Sequence, residues 1–228
     1  VALNVYDDQE HASQVFKMNN RTAIPVVDDN DVLLGIVTID DILWVTNEEF
    51  SEDMQKMGGM EALNEPYLDI SIFKLFKKRI TWLVVLFIGE LFTATAMGYF
   101  EDELAKVLVL ASFIPLILST GGNSGSQSST LIIQAIAVGE ITIADWWKIL
   151  RREIISGLLL GIVLGIIGFF RVSVWHMISP GFYGEHWMLI AITIGFTLVG
   201  VVIWGTITGS MLPILLKRLG ADPAVSSA

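Results

Sequence analysis

Four apolar stretches constrain this 228-residue chain before anything else does. They are TWLVVLFIGELFTATAMGYF (81–100), the run opening LAKVLVLASFIPLILSTGG (104–137), IISGLLLGIVLGIIGFFRVSVW (154–175) and WMLIAITIGFTLVGVVIWGTITGSMLPILL (187–216). About 20 helical residues cross the ~30 Å of bilayer hydrocarbon, so each stretch can span, and the second and fourth exceed one span. A backbone in lipid must satisfy its own polar groups, which favours helices at these lengths.

Basic residues orient the spans. Lys74, Lys77, Lys78 and Arg79 precede the first, Lys148, Arg151 and Arg152 separate the second from the third, and Lys217 and Arg218 follow the fourth. The alternate loops carry FEDE (100–103) and SPGFYGEH (179–186), with Lys106 the only lysine nearby. The positive-inside tendency therefore places the N-terminal head in the cytoplasm, with the protein multi-pass in the cell (inner) membrane.

Charge separates head from body. The net charge is −10, and residues 1–69 hold most of the acids against only Lys17, Arg21 and Lys56. An acidic head disfavours nucleic acid and anionic lipid and favours cations. There is no cysteine, so disulfides and thiolate metal sites are excluded, and His11, His176 and His186 are too scattered for a zinc motif. No nucleophile–base set or phosphate-cradling glycine loop points to an enzyme. The start at Val1 and the end in LGADPAVSSA read as part of a longer protein.

Within the head, AIPVV and LLGIVTI read as two strands joined by the turn DDND. DDILWV begins a helix with Thr38 or Asp40 as N-cap, and TNEEFSEDMQKMGGMEALNEP continues as a polar helix. Its acids at 48, 49, 52 and 53 share one face, as either a solvated acidic surface or carboxylates needing cations. LNEPYLDISIFKLFKKR (63–79), with Phe73, Leu75 and Phe76 before a basic end, suits a helix lying at the membrane surface.

One segment contradicts its surroundings. PLILSTGGNSGSQSST (115–130) is loop chemistry between uncharged apolar runs. Non-helical backbone at membrane depth is tolerated only inside protein or beside water, so a break is expected here. Pro115 can bend the helix, Gly121, Gly122 and Gly125 permit close approach, and Asn123, Ser124, Ser126, Gln127 and Ser128 offer oxygens. Such an uncharged array suits a hydrated cation in passage, or a polar seam between helices. Glu90, mid-way along the first span, is a functional acid or a carboxylate bonded to other helices. Gly157, Gly161 and Gly165 form small-xxx-small steps that predict close helix packing.

The residues Pro115, Gly121, Gly122, Asn123, Gly125 and Gln127 resemble the second-span signature of the MgtE family of magnesium transporters and channels. AIPVVDDNDVLLGIVTIDDIL resembles the second repeat of a CBS-domain pair. The resemblance implies a multi-span α-helical membrane protein with a small cytoplasmic α/β CBS-type domain. It divides the chain into a partial CBS domain (1–46), an acidic connecting helix with a membrane-surface segment (47–80), four spans (81–216) and the cytoplasmic start of a fifth span (217–228). It further implies a homodimer in the lipid bilayer, with a pore on the dimer axis and no nucleic-acid partner. Mg2+ is then both transported and regulatory, bound at positions matching Asp8, Glu10, Glu49, Glu52 and Asp53. Asp222 matches an acidic position near the cytoplasmic pore mouth, while the family's main pore carboxylate lies on a span absent here. Asn20, Trp44 and Met57 replace acids of some members, which implies fewer ions and gating at higher Mg2+. Thr38 and Asp41 match positions that would meet ATP in CBS pairs. Within this frame a Na+- or H+-coupled exchanger using Glu90, and a CBS-bearing sensor without transport, stand as alternatives to a Mg2+-gated channel.

Overall fold

The computed structural model describes residues 1–63 and 65–224, apart from the side chains of Glu10 and Lys106. The chain divides into two units, Val1–Arg79 and Ile80–Ala228.

In the first unit, strand β1 (Leu3–Asn4) leads through helix α1 (Gln9–Asn19) to strand β2 (Ala23–Val27), and β1 and β2 pair in parallel. A parallel pair needs such a crossover, which α1 supplies. Asn20 ends α1 in the left-handed region (φ 49°), where asparagine is among the few tolerated side chains. Strand β3 (Leu33–Thr38) returns antiparallel to β2 across the expected Asp-rich turn. Asp28 shapes that turn by accepting the Asn30 and Val32 N–H groups at 2.8 and 2.9 Å. Leu3, Val15, Phe16, Ile24 and Ile42 form the core. Phe16 and Ile24 are almost fully enclosed, each contributing roughly 1.5–3 kcal/mol of burial.

Helix α2 (Ile39–Met57) follows β3 directly. The apolar start and the acidic continuation form one uninterrupted helix, which ends at Met57 instead of running on past Gly58 and Gly59 as the sequence reading has it. Helix α3 (Ile72–Tyr99) corrects another expectation. Residues 72–79 are not a separate surface helix but the first two turns of the helix that continues into the span. No glycine or proline occurs between Ile72 and Ile88 to interrupt it.

The second unit continues with α4 (Glu101–Lys106), α5 (Leu108–Ala111), α6 (Ile114–Ala137), α7 (Trp146–Ile178), α8 (Pro180–Tyr183) and α9 (Trp187–Arg218). Among the described residues, four segments are long and apolar enough to cross a membrane: Ile72–Tyr99, Leu108–Ala137, Ile143–Ile178 and Trp187–Arg218. Helices α6, α7 and α9 form a packed bundle. One cluster joins Phe113, Val172, Tyr183, Ile190, Ile194 and Leu198; another joins Ile132, Ile136, Ile149 and Ile214.

The α7–α9 seam uses the predicted glycine steps. A Cβ on Gly161 would stand 2.9 Å from the Val199 Cα, and one on Gly165 only 2.7 Å from the Gly195 carbonyl. Without a hydrophobic drive between helices in lipid, such backbone approach supplies the dispersion contacts that hold the pair.

The expected break inside the GGN segment is overturned. Residues 114–137 are continuously helical, and the irregularity lies upstream, around Val107 and Ser112–Phe113. Pro115 occupies the first turn of α6, where a missing N–H leaves no bond unmade. The hydroxyls that suggested a loop are satisfied within the helix: Thr120 donates to the Leu116 carbonyl at 2.7 Å and Ser124 to the Thr120 carbonyl at 2.8 Å.

Candidate functional site

Helix α6 carries three different faces. Ser124, Ser128 and Ser129 are buried. Gly121 and Gly125 turn toward α9: a Cβ on Gly121 would meet the Val201 side chain at 2.8 Å, and one on Gly125 the Gly205 carbonyl at 3.2 Å. The third face is open. Ser119, Asn123 and Gln127 follow one another at four-residue steps, all exposed, with Gly122 and Ser126 beside them. The proposed pore residues therefore separate: Gly121 and Gly125 lie in the helix seam, while Gly122, Asn123 and Gln127 line the uncovered side and Pro115 is exposed where the helix starts.

That stripe is polar, uncharged and on a span. Left in hydrocarbon, each amide would lose its hydrogen bonds to water, so the face demands water or another protein surface. Beside it, a groove of about 530 Å³ between α6 and α9 is lined by Gly122, Ser126, Ser129, Trp204, Thr208 and Gly209.

The buried face contains a group that sequence reasoning passes over. Ser128 donates to the Glu153 carboxylate at 2.7 Å. Thr206 of α9 donates to the Ile203 carbonyl at 3.0 Å and reaches the Glu153 backbone carbonyl at 3.5 Å. Arg151 and Arg152 make Glu153 read as part of a solvated charged turn; its one signal is adjacency to the apolar run IISGLLLG.

Glu90 is exposed on α3, a helix with no buried residue. Asp222 is half-buried and accepts the Ala224 N–H at 2.9 Å.

In the head, Glu49, Glu52 and Asp53 are half-buried on α2, whereas Glu48 is exposed. Gln9 donates to Glu49 at 2.7 Å, joining the start of α1 to α2. Glu52 pairs with Lys56 one turn on, at 2.6 Å. Asp8 stands at the α1 N-cap without a capping hydrogen bond, and the Glu10 side chain lies outside the described residues. Among the described residues, no three of His, Cys, Asp and Glu gather closely enough to hold a bare metal ion.

Thr38 and Asp41 form a capping box at the start of α2. The Thr38 hydroxyl donates to Asp41 at 2.7 Å and its N–H at 3.3 Å, and these bonds hold the Asp41 carboxyl below its ordinary value of 3.8. The N–H groups of Val32 and then Asn30 do the same for Asp28. Asp41 also borders a hollow of about 240 Å³ with Asn4, Asp7 and Gln9.

Comparison with known proteins sets this geometry in a family. Residues 114–228, half of the chain, match the MgtE family, described as divalent cation transporters, and residues 1–47 match the CBS domain. The chain belongs to the MgtE family. It is 36% identical over 220 residues to the magnesium transporter MgtE of Thermus thermophilus, covering 96% of this chain and 47% of that protein. To the magnesium transporter MgtE of Enterococcus faecalis it is 34% identical, and to that of Bacillus subtilis 29%, covering all of this chain and 48% of each relative. The chain thus spans about half the length of the curated MgtE proteins it matches.

Proposed function

We propose that this chain is part of a homodimeric channel that passes hydrated Mg2+ across the cell membrane, its head cytoplasmic. The carrying observation is the uncovered stripe Ser119, Asn123 and Gln127 on a membrane-spanning helix. Mg2+ dehydrates reluctantly and usually keeps several waters. Neutral amide and hydroxyl oxygens can hydrogen-bond that water shell without stripping it, and without the deep binding that would stop conduction. A second copy facing the stripe would close the path, and Asp222 would concentrate cations at its cytoplasmic mouth.

The carboxylates of the head serve as the Mg2+ sensor in this reading. No site of three acids is needed, because a hydrated Mg2+ is held by one or two carboxylates and its own water. Asp8, Glu10, Glu49, Glu52 and Asp53 would supply these contacts, and loss of Mg2+ would leave α1 and α2 acids repelling one another. Adenine nucleotide, as ATP, would enter the hollow beside Asp41.

Uptake of Mg2+ into liposomes by the full-length protein, with internal Mg2+ varied, tests both halves. Uptake that falls as internal Mg2+ rises, and that Asn123→Leu abolishes, supports the channel. Absence of uptake at every internal concentration removes it. The exposed mid-span carboxylate Glu90 favours a second reading, a Na+- or H+-coupled exchanger. In that case flux follows the Na+ or proton gradient and Glu90→Gln uncouples it.

A further inference from the structure

Ser128 is buried at 5% exposure and donates a hydrogen bond to the Glu153 carboxyl group at 2.7 Å, on a neighbouring helix. A hydrogen bond to a carboxylate is among the stronger ones, and its low-dielectric setting strengthens it further. Glycine against glycine backbone, as at Gly125 and Gly205, leaves nothing to interlock, and the second hydroxyl, Ser124, bonds only within its own helix. The Ser128–Glu153 bond is directional and joins two helices.

The same turn of α7 is held on its other side. The Thr206 hydroxyl of α9, donated to Ile203, lies 3.5 Å from the Glu153 backbone carbonyl, and a Cβ on Gly157 would collide with that hydroxyl. Glu153 thereby sits where α6, α7 and α9 converge. Ser128 adjoins Gln127 in sequence, so a helical rotation that broke the bond would carry Gln127 and Asn123 toward the seam.

We propose that Glu153 is a positioning residue for ion passage: its carboxylate pins the rotation of α6 so that Asn123 and Gln127 face the open side. The inference rests on the transport reading for its purpose, but its test does not depend on transport.

The chain has no cysteine, so single thiols can be introduced into the full-length protein in liposomes without native background from this region. Gln127→Cys on the open face is expected to react with a water-soluble thiol reagent much faster than Ser129→Cys, which replaces a buried residue. Adding Glu153→Ala or Ser128→Ala should lower that rate ratio by about tenfold, the weight of one hydrogen bond to a charged acceptor. Glu153→Gln, which keeps an acceptor oxygen, should retain the ratio. A role in stability alone would lower yield and leave the ratio intact. If Glu153→Ala prevents folding, Ser128→Ala alone decides. An unchanged ratio in Ser128→Ala, or a loss in Glu153→Gln equal to that in Glu153→Ala, overturns the proposal. Absence of Mg2+ uptake by the unsubstituted protein would sink the transport reading instead, with the thiol ratios unaffected.

Discussion

The carbonyl oxygen of Gly205 lies 3.2 Å from where a Cβ on Gly125 would stand, and a Cβ on Gly205 would come within 2.5 Å of the Gly121 carbonyl. The two substitutions are therefore unequal. Gly205→Ala forces backbone against backbone and should cost about 1–3 kcal/mol, whereas Gly125→Ala asks for a shift of a few tenths of an ångström and should cost less. Gly122 has open space around it. Gly122→Ala should leave stability unchanged or raise it by up to about 1 kcal/mol through helix propensity. Thermal unfolding of the three variants in detergent checks the order. A loss of Mg2+ uptake in a fully stable Gly122→Ala protein would mark that residue as bordering the ion path.

The capping box makes a prediction about acid. Asp41 accepts from the Thr38 hydroxyl and N–H, and its carboxyl is thereby held below 3.8 when folded. The folded state then binds fewer protons than the unfolded state in that range, so stability rises with pH there. The contribution is complete above the ordinary carboxylate value and is lost as pH falls through the depressed one. Hydrogen exchange in the first turn of α2, corrected for intrinsic rate, should show protection fading with acid below about pH 4. Asp41→Asn should remove that dependence, and Thr38→Ala should weaken protection at neutral pH without any nucleotide present.

Much of this could be read from residue types. The two-stranded turn, the Thr38 cap and the four spans follow from periodicity, turn chemistry and length, all local signals. The helical course of the GGN segment does not. Serine and asparagine favour loops in water because their side chains compete for backbone bonds, and glycine because a helix costs it the most backbone entropy. In α6 Thr120 and Ser124 bond back to carbonyls four residues earlier, and α9 covers Gly121 and Gly125, so the helix survives. That cover is a tertiary fact with no local trace. Glu153 was hidden for the same reason: only the packing of α6 and α7 on α9 brings Ser128 to it.

Gln9 and Glu49 link α1 to α2 at 2.7 Å, placing an uncharged amide against the acidic face of α2. If the head carboxylates sense Mg2+, adding the ion should protect α2 from protease in the full-length protein at millimolar concentrations. Glu49→Gln and Asp53→Asn should each raise the half-protecting concentration, by about tenfold for one lost charge-assisted contact. Protection independent of Mg2+, or variants that match the parent, would remove the sensor assignment and leave the membrane unit's role standing.

Two prolines in similar helices should behave in opposite ways. Pro115 is in the first turn of α6 and exposed, where an alanine N–H gains no helical partner. Pro115→Ala should change stability by no more than about 0.5 kcal/mol and leave Asn123 where it is. Pro213 is fully buried inside α9 and cannot give a hydrogen bond to the Gly209 carbonyl, four residues earlier. Gly209 also presses on Gly125, so the loosened turn of α9 lies against the GGN segment. Pro213→Ala supplies the missing donor and empties part of the core near Ile214. The added bond and the new void act oppositely on stability, so the informative readout is the groove between α6 and α9. A thiol at Ser126 should change its reaction rate with a water-soluble reagent in Pro213→Ala and keep it in Pro115→Ala. Equal rates in both variants would show that Pro213 does not shape the groove.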